Sequence, residues 1–436
     1  LFNLGHQRET PVVDTLPEQG RMFTLMRTIL AVMCFNLLSH TASAQDHAEV
    51  ERQFQAWLQD VIWPKAQAKG VSRETMEQAF AGVTLNWKLP DLVPPGQKTK
   101  TPKTQKQAEF GSPGRYFNAG SVQGATAVGR KMATRHSATL ASVERETGVP
   151  GRIVLAIWGR ESGYGQVPIR HDAFRVLSTK AFMSTRAEYF TGELIAALQI
   201  AESGYLPARG MKSSWAGALG QPQFMPSNFL TYARDGNGDG RADIWGSPAD
   251  TIASIGHYLD QHGWVSNRDW GFEVSVPANV SCSLEGPDQG RPIHKWEEMG
   301  IRRVSGRPFP AHERDGEGFL MMPAGRHGPA FLVTPNFYVL KEYNKSDLYA
   351  LFVGHVGDRI QYGVGDFAGQ WGKVGGLYRS DVAIMQRALE ELGHDVGGAD
   401  GLPGFKTRRS IGRWQQSLGL APTCFPDAGM KADLVP

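Results

Sequence analysis

Cysteine is scarce in this chain: three residues in 436, Cys34, Cys282 and Cys424, far apart in sequence. No paired Cys spacing and no His-x-x-x-His occurs, which argues against zinc amidase or endopeptidase chemistry. Charge of one sign is also lacking. Lys+Arg total 46 against 43 Asp+Glu, a net charge of +3, so there is no electrostatic case for nucleic acid. His171-Asp172 looks like half of a triad, but no Gly-x-Ser-x-Gly elbow accompanies it, and a local ion pair is the better reading. The apolar run from Thr28 to Leu38 is too short to span a bilayer as a stable helix. What remains is a chain with 41% hydrophobic residues and many Gly and Pro, enough for a real core with long loops. Its length implies two or three domains.

The N-terminal stretch reads as a targeting signal. Met22 to Arg27 is a short n-region, Thr28 to Leu38 an apolar h-region, and Ala42-Ser43-Ala44 a small-x-small cleavage site. A signal peptide over 22–44, cut after Ala44, is expected, with 1–21 an upstream extension outside the fold. Cys34 leaves with the signal and lacks the context of a lipidated cysteine, so no lipid anchor is expected. Cys282 and Cys424 fall in different predicted domains; a disulfide and two free buried thiols stand as equal alternatives.

Residues 46–69 have helical periodicity through Phe54, Trp57, Leu58, Val61 and Ile62. Ser72 is a candidate N-cap for a helix to about Phe80. Residues 89–115, rich in Pro, Gly and Lys, read as an exposed loop, and 121–147 and 187–203 as helices. Trp270 to Pro277 and Gly328 to Thr334 alternate as strands do. They predict a small β-containing subdomain inserted into a helical body that resumes over 338–362. A Gly-rich linker follows at 366–376. Ser380 to Leu392 and Lys406 to Leu418 are amphipathic helices joined by a turn at Asp400-Gly401, which predicts a small helical bundle over 377–436.

Glu161 is the most informative residue. It ends the apolar run from Arg152, and the small-residue turn Ser162-Gly-Tyr-Gly165 follows. A carboxyl there leaves a buried helix and faces a cleft. Desolvation by Ile157 and Trp158 raises its pKa, which suits a general acid. The plainer alternative is a helix-terminal Glu paired with Arg160 or Arg170. The second informative stretch runs from Ser213 to Asn228, about sixty residues after Glu161. Its glycines allow close backbone approach. Gln223, with Ser214 and Asn228, offers the donors and acceptors that a sugar amide or hydroxyl requires. Trp215, Phe224 and Met225 offer apolar faces for a sugar ring.

These residues, with Ala187 to Leu194, Thr251 to Trp264, Pro335-Asn-Phe-Tyr338 and Tyr343-Asn344, resemble the membrane-bound lytic transglycosylase B family. The resemblance covers most of the region between 46 and 362. It implies an α+β, mostly helical fold: a lysozyme-like catalytic core over 45–365 with the inserted β-containing subdomain, plus the C-terminal helical bundle. It also implies Glu161 as sole acid/base, cleaving the MurNAc–GlcNAc β-1,4 bond of peptidoglycan without water to leave a 1,6-anhydro-MurNAc end. Ser214, Gln223, Tyr258, Asn336 and Tyr116 are then expected to line the cleft, with Tyr338 and Tyr343 as further candidates. Usual glycosidases need two carboxylates. The Ser214–Ser227 block contains none, although Asp172 or Glu193 can fold nearby.

Asp235-Gly-Asn237-Gly-Asp239-Gly240-Arg241-Ala-Asp243-Ile-Trp245 has oxygen side chains at positions 1, 3, 5 and 9 and Gly at 6, the first part of an EF-hand loop. Gly246 stands where the bidentate Glu belongs. By the resemblance a later acid, Asp250, completes a variant loop, and structural Ca2+ is expected; an Asx/Gly turn without an ion is the alternative. No organic cofactor is expected. Val382 to Leu392, Asp400-Gly401, Gly404, Thr407 and Trp414-Gln415 resemble the peptidoglycan-binding domain family, which implies a wall-targeting role. The product expected is periplasmic, acting on glycan strands. Partners in wall synthesis or division are left unidentified. The rivals are a hydrolytic muramidase with the same cleft and a non-catalytic peptidoglycan-binding protein.

Overall fold

The computed structural model describes residues 47–98, 108–374 and 376–434. The expected signal peptide, its upstream extension and part of the basic loop lie outside the described residues. The chain divides into two compact units at Pro64/Lys65. In the first, a helix runs over 47–57 and continues as a π turn at Leu58–Ile62, with Phe54 stacked on Trp57.

The second unit takes in everything from Lys65 onward, the sheet and the C-terminal helices included. Ser72 caps the helix Arg73–Phe80 as expected, accepting from Thr75 N. The expected single helix over 121–147 is two, Ala119–Arg135 and Ser137–Thr147, broken at His136. The helix Gly151–Ser162 lies at the centre. Every residue from Arg152 to Trp158 is buried, so the helix is enclosed on all sides and must be wrapped by others. The helices Ala119–Arg135, Pro248–Gln261 and Asp347–Tyr362 pack against it. Pro150 and Gly163 bound it. Gly163 takes the left-handed conformation (φ 57°), a C-terminal stop that favours glycine.

The inserted subdomain is a five-stranded antiparallel sheet in the order β4-β6-β7-β3-β5. Its strands are β3 Gly271–Ser275, β4 Arg291–Pro292, β5 Arg302–Arg303, β6 Glu317–Met321 and β7 Ala330–Val333. The two strands expected from sequence, β3 and β7, pair with each other, Phe272 opposite Leu332. Their apolar face closes on Trp296, Ile293, Ile301 and Phe309. A separate pair, β1 His171–Asp172 with β2 Lys212–Ser213, stands beside the cleft.

The expected linker is pinned to the body. Trp371 stacks on Phe117 with centroids 5.3 Å apart, and Phe367 packs on Phe331 and His355. The C-terminal helices Arg379–Glu391 and Phe405–Ser417 match expectation. A third, Ala428–Leu434, closes a core of Met385, Leu389, Ile411, Trp414 and Met430. Cys282 and Cys424 form a disulfide, which resolves the open alternative and joins this bundle covalently to the sheet subdomain.

Candidate active site

Glu161 sits in the last turn of the central helix, half-buried. Burial pushes its carboxyl up to about 7 from an ordinary 4.5. The Tyr349 hydroxyl and the Arg160 charge pull the other way without prevailing. Tyr349 Oη donates to Glu161 Oε1 at 2.5 Å. Arg160 is turned elsewhere: its guanidinium lies over the rings of Tyr116 (4.6 Å) and Phe352 (4.9 Å). The partner of Glu161 is therefore a phenol, and the simple Glu–Arg reading does not hold.

The turn after Glu161 folds because its glycines leave room. Tyr164 (φ 60°) swings back over the helix and donates its hydroxyl to Ala125 O at 2.8 Å. A Cβ on Gly159 would stand 2.5 Å from the Tyr164 ring, so only glycine permits this packing. A Cβ on Gly165 would meet the Gln221 amide at 2.5 Å. That amide is fixed at both ends, accepting from Trp158 Nε1 (2.9 Å) and donating to Trp245 O (2.9 Å). The helix end, the turn and the Gly-rich stretch are thus locked to one another.

Glu161 opens on a cavity of about 230 Å³ walled by Val167 to His171, Ser213, Ser214, Trp215 and Gln223. Glu161 is the one carboxylate on that wall among the described residues. Asp172 caps the helix Ala173–Met183, accepting from Arg175 N at 2.9 Å. Glu193 is buried with both oxygens on Ser227, its N at 2.9 Å and Oγ at 2.8 Å. Both candidate second carboxylates are engaged in structure. Gln223 has φ 54°, strained for a residue with a Cβ, and its Nε2 donates to Gly220 O at 2.8 Å. Ser214 Oγ accepts from Ala218 N at 3.2 Å. Trp215 is 51% exposed, a flat apolar face on the cavity.

The model of the transglycosylase SLT domain family matches residues 53–358, and that of the putative peptidoglycan binding domain family matches residues 378–432. The chain belongs to the SLT transglycosylase family. Among solved structures it resembles SltB3 from Pseudomonas aeruginosa, determined in complex with NAG-anhNAM-pentapeptide. The identity is 34% and the TM-score 0.77, over 88% of this chain and 99% of that one. The soluble lytic transglycosylase SltB1 of the same organism is similar at 26% identity and TM-score 0.54, over 72% of this chain and 98% of that one. Membrane-bound lytic murein transglycosylase B of Escherichia coli (strain K12) is 33% identical over 220 residues, 49% of this chain and 57% of that protein. The chain therefore matches little more than half the length of that curated relative.

Within this SLT domain the other expected site residues separate. Tyr343 lies next to the Glu161–Tyr349 pair: its ring is parallel to that of Tyr349 at 6.5 Å, and its hydroxyl donates to Pro222 O at 2.7 Å. Tyr258 is buried one layer back, against Tyr343 and Phe224, its hydroxyl on Glu342 O. Phe224 is buried too; of the apolar faces expected for sugar, Trp215 is exposed and Met225 half-buried. Tyr116 stands beside Arg160. Asn336 requires correction. It is fully buried, and its amide bonds Val265 N and O and Arg268 O, closing the 265–268 loop. Tyr338 also requires correction: it packs on Phe319 and borders a small cavity with Glu285, Asp347 and Arg408, at the C-terminal bundle. Tyr349, the hydrogen-bond partner of Glu161, is the candidate site residue that sequence reasoning missed.

In the acidic loop, Asp235 accepts from the backbone N–H groups of Gly240 first, and of Asn237, Gly238 and Asp239. These hold its carboxyl below the ordinary range. Asn237 and Asp239 bond to each other. Asp250 departs from expectation. It is fully buried, and its oxygens accept from Gly236 N (2.9 Å) and Asp243 N (2.8 Å), tying the loop base together. Among the described residues no three His, Cys, Asp or Glu side chains converge as a metal site. The donors at 235, 237 and 239 fit calcium by type; Asp250 does not fit as a ligand.

Proposed function

We propose that this protein is a lytic transglycosylase that cleaves the MurNAc–GlcNAc β-1,4 bond of peptidoglycan, with Glu161 as acid and then base. The observation that carries this reading is a single carboxyl, held protonated near neutrality, on a cleft whose described residues offer no second carboxylate. Protonated Glu161 gives its proton to the glycosidic oxygen. The C1–O bond breaks, and the GlcNAc hydroxyl departs. The MurNAc C6 hydroxyl attacks C1, and its proton passes to the Glu161 carboxylate, which restores the acid. No water is consumed. The nucleophile is already on the sugar, so its effective molarity is high and no second base is required to activate water. Tyr349 holds the carboxyl in place and stabilises the carboxylate between the two proton transfers. Trp215 suits the apolar face of a pyranose, and Ser214 and Gln223 the polar substituents around it. The support is the family membership and the similarity to SltB3, a structure solved with an anhydro-muropeptide.

The test is digestion of purified sacculi with mass analysis of the released muropeptides. Wild type yields products one water lighter than hydrolytic ones, and Glu161→Gln yields none. Reducing ends instead would give the reaction to a muramidase, and full activity in Glu161→Gln would remove the mechanism.

The C-terminal bundle is assigned to holding the enzyme on its insoluble polymer. Export to the periplasm by the segment 22–44 rests on the sequence; among the described residues no helix is long and apolar enough to cross a membrane. We also infer a structural calcium ion held by Asp235, Asn237, Asp239 and the Arg241 carbonyl, without Asp250, bracing the loop ahead of the Pro248–Gln261 helix. It takes no part in the chemistry. Calcium then raises Tm in wild type and not in Asp239→Ala; no rise in wild type removes the ion.

A further inference from the structure

The corner that carries Tyr343 and Tyr349 is tied to the C-terminal bundle. Tyr343 ends the helix Pro335–Tyr343, and Tyr349 lies in the first turn of Asp347–Tyr362. Only residues 344–346 separate the two helices. The ion pair of Lys341 Nζ with Asp347 Oδ1, at 2.5 Å, spans this corner from one helix to the next. The other Asp347 oxygen takes Arg408 Nη2 at 3.2 Å, from the bundle helix Phe405–Ser417.

Arg408 is 1% exposed and fully engaged. Its Nε and Nη2 grip Glu285 (2.9 and 3.1 Å), and its Nη1 donates to Pro403 O at 3.0 Å. Two cations, Arg408 and Lys341, balance two carboxylates, Glu285 and Asp347. Burial alone drives the Asp347 carboxyl up; Lys341 and Arg408 together outweigh it and hold the group below its ordinary range. In this buried setting the cluster is rigid, and moving one member strands the others as unpaired charges. The disulfide Cys282–Cys424 lies three residues before Glu285 and fixes the bundle at the same place.

We propose that Arg408 of the C-terminal bundle is a positioning residue for Glu161, acting through Asp347 and the first helical turn behind it to hold Tyr349 in its hydrogen bond with the acid. The bundle is then part of the catalytic machine as well as its tether, and an enzyme whose bundle is displaced from the corner loses its acid geometry. This rests on Glu161 being the catalytic acid.

The test uses the full chain and the pH profile of kcat on soluble glycan strands. The charged and titratable groups around Glu161 are Tyr349 and Tyr343 from the opposing corner, Arg170 and His171 on the cleft wall, and Arg160 on its own helix, which acts by its charge alone. Asp347→Asn cuts the link and leaves the Arg408–Glu285 pair that docks the bundle. The paired variant Arg408→Met with Glu285→Leu removes the link while keeping the interface apolar, should the first variant fold poorly. Both are expected to lower kcat about tenfold, to move the alkaline limb of the profile in the same direction as Tyr349→Phe does, and to leave KM and sacculus binding near wild type. Asp288→Asn, which loosens only the half-exposed rim pair with Arg409, keeps the wild-type profile. A wild-type pH profile in whichever linked variant folds, or a change in Tm alone, overturns the proposal. Glu161→Gln separates this from failure of the underlying reading: activity there would refute the acid itself, whatever the corner variants do.

Discussion

Replacing Glu161 by Gln should stabilise the protein above neutral pH while abolishing activity. The carboxyl rises from 4.5 in the unfolded chain to about 7 in the fold, mainly through burial. Below pH 4.5 both states hold the proton and no penalty exists. Between 4.5 and 7 the unfolded state ionises while the folded state keeps its proton, so the folded state binds more protons and stability falls as pH rises. Above 7 the full cost is present. At about 1.4 kcal/mol per pH unit, with a discount for the partly exposed edge, it is about 2–3 kcal/mol. Gln is neutral, nearly isosteric and still accepts the Tyr349 hydroxyl, so it escapes this cost. A body of this size unfolds with an entropy of about 0.8 kcal/mol/K, so the gain is about 3 °C in Tm. The assay is Tm against pH for both proteins. The curves should coincide at pH 4 and separate progressively to pH 8, with the variant higher. Parallel curves would refute the claim that Glu161 is held protonated by its surroundings.

Two further outcomes follow from the same geometry. Tyr349→Phe removes a hydrogen bond that favours the Glu161 carboxylate, so its carboxyl rises further. Because the acid acts protonated, the alkaline limb of kcat against pH should move up by about one pH unit or more, and kcat should fall as the acid loses its fixed rotamer; an unmoved limb would contradict this role for Tyr349. The disulfide closes a loop of 142 residues, which is about 5 kcal/mol in chain entropy. Cys282→Ala with Cys424→Ala should therefore lower Tm by several degrees, and equal Tm values with and without the bond would contradict that.

Much of the site was legible because it is local. The run from Ile153 to Trp158 is apolar on every side, Gly163 stops it, and Glu161 has to emerge at its end. The alternation in β3 and β7 was equally plain. What failed was distant or depended on helix phase. Tyr349 lies within an apolar run, and its partner is 188 residues away. Tyr338 and Tyr343 share one short helix, yet five residues at about 100° each place them roughly 140° apart, on different faces. Asn336 was expected in the cleft from the family resemblance, but its donors and acceptor close the 265–268 loop. Arg408 sits in the charged first turn, Lys406-Thr-Arg-Arg409, of an amphipathic helix. Only the tertiary fold shows it to be buried between Glu285 and Asp347.

The most direct test of the central claim is digestion of sacculi in water enriched in 18O, with the released muropeptides weighed. Intramolecular attack by the C6 hydroxyl predicts 1,6-anhydro products carrying no label, and none at all from Glu161→Gln. Label at the MurNAc C1 oxygen would show that water is the nucleophile, and would contradict the account.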